Sequence, residues 1–127
     1  MMDWYMSCME EVRDSIDSAK SELRGPSTYL NELVLEGYKY TIGRCLLEVL
    51  RAHRILKYSE NPERDIDFEE IEEARKRYME VKKDIESIIG REIKFPKADR
   101  IFENPIVMIT TVEPDVLETF SEKILRP

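Results

Sequence analysis

His53 is the only histidine in the chain, so any reaction that moves a proton through an imidazole near neutral pH must use it. A composite arginine–histidine ribonuclease site needs an arginine at a set helical distance before its histidine. Leu46, Leu47 and Glu48 stand there instead, and Arg44 and Arg51 fall at other spacings. In helical projection His53 lies on the side of Ile42, Leu46 and Val49, which reads as a packed or boundary histidine. Glu69, Glu70, Glu72 and Glu73 contain two E-x-x-E pairs, a spacing that puts carboxylates side by side on a helix, as a Mg²⁺ site requires. An acidic, solvated first turn that complements the helix dipole accounts for the same residues. No glycine-rich phosphate loop, nucleophile elbow or zinc spacing occurs, so no metal and no cofactor is expected.

The other chemical feature is cationic. Between Tyr38 and Tyr58, Lys39, Arg44, Arg51, Arg54 and Lys57 face the single acid Glu48, and five against one gives +4. Arg44, Arg51 and Arg54 project onto one face, opposite the apolar stripe, where they suit an acidic protein surface, an acidic helix of the same chain, or phosphates. Aromatic residues do not interleave with them there, which disfavours base stacking. The whole chain carries −7 with a pI near 4.9, so direct nucleic-acid binding is expected to be weak. Cys8 and Cys45 have no C-x-x-C spacing and read as small buried hydrophobes in a reducing compartment.

The elements that position these residues are helical. From Asp3 to Arg24, Trp4, Tyr5, Cys8, Val12, Ile16, Ala19 and Leu23 recur at threes and fours, and Gly25-Pro26 ends that pattern. A second stripe runs through Leu30, Leu33, Val34, Tyr38, Ile42, Cys45, Leu46, Val49, His53 and Leu56 to Asn61-Pro62. Gly37 and Gly43 inside it predict a kink or break near Glu36-Gly37, or a close helix crossing. Asp67 to Glu70 has capping-box spacing and opens a third helix that carries Phe68, Ile71, Ala74, Tyr78, Val81, Ile85 and Ile88 and stops at Gly90. After Arg91 prolines punctuate the chain. Residues 106–112 read as a strand, and residues 114–125 as a short helix or a strand and turn.

The chain has 127 residues, 42% hydrophobic and 37% charged. That is one domain's length, with enough apolar material for a core and no run suited to a membrane span. High charge of both signs with few glycines is a pattern of proteins from hot environments. The N-terminus lacks the basic and apolar regions of a signal peptide, so a cytoplasmic location is expected. The fold expected is mainly α: an antiparallel bundle of three to four helices over residues 1–90, with a short β or mixed appendage over residues 91–127.

Trp4-Tyr5 near the start of the first helix, the run from Ile42 to His53 in the second, the acidic cap and helix start from Asp65 to Glu70, and the segment from Val107 to Leu117 occur in that order. In this order they resemble an archaeal-type GINS subunit: its Phe-Tyr opening, its long helix ending in basic residues, its acidic cap, and the strand with Pro-Glu-Phe-Val that opens its small β-domain. The resemblance implies a helical domain followed by a β-domain that is truncated here. It also implies a noncatalytic scaffold joining the replicative helicase ring to a RecJ-like partner, in a tetramer of related subunits.

The function expected is therefore that of an assembly subunit with protein partners, in a homo- or hetero-oligomer. The alternative is a helical ribonuclease or nucleotide hydrolase whose site these motifs do not capture. A scaffold needs apolar residues outside the core. Leu35, Tyr40, Leu47 and Ile55 on the flanks of the long helix are candidates, together with Arg44, Arg51 and Arg54.

Overall fold

A computed structural model describes residues 2–105 of the chain. The strand expected at 106–112 and the closing element expected at 114–125 lie outside the described residues. The described chain is mainly helical: α1 (Met2–Ser21), α2 (Thr28–Tyr58), α3 (Pro62–Asp65), α4 (Phe68–Ile89) and α5 (Pro96–Glu103).

Each long helix ends where its local chemistry requires. Beyond α1 the guanidinium of Arg24 donates to the carbonyl of Ser21, an acceptor the helix leaves open, and to that of Leu23 in the turn, both at 2.7 Å. Gly25 follows at φ 103°, a conformation that suits glycine. At the start of α4 the Asp67 carboxylate accepts from the Glu70 backbone N–H at 3.1 Å. At its end Gly90 adopts the left-handed conformation, φ 77°, and donates to the Glu86 carbonyl at 2.9 Å.

The long helices run antiparallel to their neighbours. Lys20 near the end of α1 pairs with Glu36 near the start of α2, and Tyr5 and Met9 at the other end of α1 lie against Gly43. A Cβ at Gly43 would sit 3.4 Å from Met9 Cε and Tyr5 Oη, so this glycine marks the close crossing. No break interrupts α2 at Gly37; the helix is continuous from Thr28 to Tyr58. Similarly Tyr38 of α2 meets Asp84 late in α4, and Arg51 meets Glu70 early in α4.

The core takes Cys8, Val12, Ile16 and Ala19 from α1, Leu35, Ile42, Leu46, Val49 and Leu56 from α2, and Ile71, Tyr78, Val81 and Ile85 from α4. Cys8 and Cys45 are both buried as free thiols. Residues 91–105, to which the sequence reading assigns no helix, supply Ile93, Phe95, Ala98, Ile101 and Phe102 to the same core. Here α5 is built by tertiary contacts. The Glu11 carboxylate of α1 accepts from the backbone N–H groups of Lys97 and Ala98, supplying from across the fold the cap that the local sequence lacks. The Asp99 carboxylate accepts from the Phe95 N–H at 3.0 Å, the Tyr78 hydroxyl at 2.5 Å and the Lys82 ammonium at 2.8 Å. The Phe102 ring stacks on Tyr78 with centroids 4.2 Å apart.

The beginning of α2 departs from the expected stripe. Leu30, Leu33 and Val34 are exposed and Leu35 is fully buried, which also removes Leu35 from the candidate outer surface. The cause is helical geometry. A spacing of four residues overshoots one turn by about 40°, so the row from Leu30 through Val34, Tyr38 and Ile42 to Leu46 winds from the solvent side into the core. A count of threes and fours registers such a row as one face.

Candidate interaction surface

The outward face of α2 is a ridge with two halves. Its first half carries Tyr29, Leu30, Leu33, Val34 and Tyr40, each with 42–69% of its surface exposed. Tyr29, Leu30, Leu33 and Val34 lie three or four residues apart or side by side, and Tyr40 follows six residues after Val34 on the same side of the helix as Leu33. Gly37 sits between Val34 and Tyr40, and a Cβ there would meet nothing within 4 Å. An interior glycine costs a helix about 1 kcal/mol relative to alanine, and here no neighbour in the described chain requires it, unlike at Gly43.

The second half is cationic. Arg44, Arg51 and Arg54 are exposed, with Leu47 among them at 41%, and these four residues line one shallow recess of about 280 Å³. The Arg44 guanidinium lies over the Tyr40 ring, 6.0 Å from its centroid, a weak attraction at an exposed site. Arg51 approaches Glu70 only to 3.9 Å, with both side chains more than half exposed, so this pair holds neither residue firmly. Arg54 has no hydrogen bond or ion pair among the described residues. The second half ends at Tyr58, 76% exposed, with the Lys57 ammonium 5.7 Å from its ring centroid.

Ile55 differs from the other expected contact residues. It is half-buried against the core and lines an open groove of about 560 Å³ where α2, α3 and the start of α4 converge. That groove mixes charges, with Arg51 and Arg64 facing Asp65, Glu69 and Glu70. A hydrogen bond from Ser59 at 2.5 Å, with a lesser one from Arg64, holds the Asp65 carboxyl below the usual carboxylate range. Beside the first half of the ridge, hydrogen bonds from Lys20 and then Lys39 do the same to Glu36.

His53 is buried on the core side of α2. The four glutamates of the E-x-x-E pairs are exposed on the first turns of α4, with Glu72 engaged by Arg75 at 3.4 Å. A Mg²⁺ site of the nucleotide-pyrophosphatase kind also needs an E-x-x-D pair on a second helix; such a pair, expected to be absent, is present on α1 as Glu11 and Asp14, and its Glu11 carboxylate is committed to the amides of α5. Among the described residues no group of three or more His, Cys, Asp or Glu side chains is arranged to hold a metal ion. No helix there is long and apolar enough to cross a membrane.

The arrangement suits non-covalent contact. It offers exposed aromatic and aliphatic side chains for burial and adjoining guanidinium groups for carboxylates or aromatic faces. No protein-family model, curated protein or solved structure matches the chain.

Proposed function

We propose that the chain is a noncatalytic assembly subunit that presents the outward face of α2 to a protein partner. Its resemblance to GINS subunits makes a DNA replication complex the setting. The observation that carries this reading is the exposed face from Tyr29 to Leu47, on which large apolar side chains, interrupted only at Gly37, adjoin arginines that the described chain leaves weakly paired or unpaired. Scattered single apolar residues are ordinary on a surface, whereas a contiguous row marks a contact site. Aromatic residues and arginine are also the types enriched where proteins meet.

The test is affinity capture from the source organism with the wild-type chain and with a Leu33→Asp/Tyr40→Asp variant of matched helicity. The wild type retains a partner that the variant loses, and recovery of helicase or other replication subunits supports the GINS setting. Identical recovery by both chains defeats the reading.

A further inference from the structure

The charge pattern along α2 points to the occupant of the ridge. Between residues 28 and 41 the helix carries Glu32, Glu36 and one cation, Lys39, and Glu36 is already paired with Lys39 and with Lys20 of α1. From Arg44 to Lys57 it carries four cations and the single acid Glu48. The outward face repeats this division, with apolar and aromatic groups in one half and arginines in the other. Two such ridges laid parallel would set arginine against arginine, which is repulsive. Laid antiparallel, each cationic half meets the half that carries tyrosines and leucines, whose ring faces and apolar surface accept guanidinium groups. The ridge is thus complementary to itself in one orientation only.

We infer that a second copy of this chain docks on α2, the two α2 helices crossing antiparallel about a two-fold axis at the middle of the ridge. The inference rests on the protein-docking reading above and names its partner. The ridge runs from Tyr29 to Tyr58, so its midpoint falls between Gly43 and Arg44. Overlap about that point sets Tyr29 level with Tyr58 of the second copy, Leu33 with Arg54, and Tyr40 with Leu47. Arg44, the cation nearest the axis, leans one turn back over its own Tyr40, so the guanidinium groups of the two copies are displaced to opposite sides of the axis. Gly37 lies in the overlapped stretch, with open space in front of it. A glycine on an exposed helix face is where a second backbone can approach closely.

Size sets the expected strength. A ridge of 30 residues is about 45 Å long, and a strip one helix wide along it buries on the order of 1,000 Å² over both partners, at the low end of specific interfaces. The expected dimer therefore has a Kd in the micromolar range and dissociates on dilution.

Sedimentation velocity of the full chain across a concentration series, from well below to well above micromolar, is expected to show a monomer converting to a dimer. The Leu33→Asp/Tyr40→Asp variant is expected to shift the midpoint at least a hundredfold, with its circular dichroism unchanged. Orientation is read by disulfide crosslinking. A mixture of Leu33→Cys chains with Arg54→Cys chains crosslinks, and neither chain alone does; Cys8 and Cys45 are buried and serve as silent internal thiols. Crosslinking of each chain only with itself means parallel packing and overturns the inference. A wild type that stays monomeric at 200 µM also overturns it, even if the capture experiment recovers a different protein through the same ridge; in that case the docking reading stands and the second copy is wrong. If the aspartate variant loses helicity, the crosslinking experiment, which leaves Tyr40 in place, decides alone.

Discussion

Removing the Asp99 carboxylate should unfasten α5 from α4, and the cost can be worked from its three contacts. The carboxylate accepts from the Tyr78 hydroxyl, the Lys82 ammonium and the Phe95 backbone N–H. Tyr78 is fully buried, so in Asp99→Ala its hydroxyl loses its only protein acceptor among the described residues, a penalty of about 1–3 kcal/mol. The lost backbone contact at Phe95 adds about 1 kcal/mol. Lys82 keeps 18% of its side chain exposed and can turn to solvent, so its share is below about 1 kcal/mol. The total is about 3 kcal/mol, or roughly a 10 °C fall in Tm for a domain of this size. Tyr78→Phe removes only the hydroxyl and leaves Asp99 two donors and some water, so it should cost about 1 kcal/mol. The double variant should be less unstable than the sum of the single ones, because Asp99→Ala already forfeits what the hydroxyl gained. Urea unfolding followed by circular dichroism measures all three. An Asp99→Ala chain within 0.5 kcal/mol of wild type, or strict additivity in the cycle, would refute the reasoning.

Burial pushes the Cys8 and Cys45 thiols up to about 11 from an ordinary 9.0, and burial, then the bond to Asp99, raises the Tyr78 phenol well above its ordinary 10.0. All three groups are favoured in their neutral forms by folding, so stability is complete below pH 9 and falls as pH rises through 9 to 11, where the unfolded chain ionises first; urea midpoints that stay flat to pH 11 would contradict this. At neutral pH a thiol reagent should label neither cysteine until denaturant is added. His53→Gln and His53→Leu should retain partner binding and cost only about 1–2 kcal/mol; loss of a measured nuclease or hydrolase activity with the fold intact would instead favour an enzyme. Labelled single- and double-stranded DNA and RNA should bind only marginally at physiological salt, since the +4 stretch sits in a chain of net −7. Tight binding abolished by reversing Arg44, Arg51 and Arg54 would make the chain a direct nucleic-acid binder.

What the sequence discloses of this fold is what is determined locally. The Asp67 cap and the Gly90 stop of α4 are chemical signals within a few residues of their effects, and both are found where the spacing puts them. The crossing at Gly43 is legible as one of the outcomes two glycines permit, but choosing it over a break at Gly37 depends on Tyr5 and Met9 of another helix. The helix α5 is not legible, because its first amides are capped by Glu11, 86 residues away from Lys97 in sequence. The apolar half of the candidate surface is hidden for a different reason. Leu30, Leu33 and Val34 keep helical spacing with the core residues that follow, and only the accumulated rotation along α2 turns them outward while Leu35 turns in. The arginines were open to sequence reading because three cations of one face need no knowledge of the core. Ile55 projects onto the flank of the long helix, and the groove that half-buries it is made by α3 and α4.

Radical footprinting of the six tyrosines tests most directly whether α2 is a docking surface, since they report both the ridge and its controls in one sample. Tyr29, Tyr40 and Tyr58 are 69%, 68% and 76% exposed on the ridge, Tyr5 and Tyr38 are half-buried, and Tyr78 is fully buried. In the dilute isolated chain the three ridge tyrosines should be oxidised fastest and Tyr78 slowest. In the assembled state, whether a concentrated dimer or a captured complex, Tyr29 and Tyr40 should be protected several-fold while Tyr38, which faces Asp84 of α4, is unchanged. Assembly that leaves Tyr29 and Tyr40 as reactive as in the isolated chain would contradict the account.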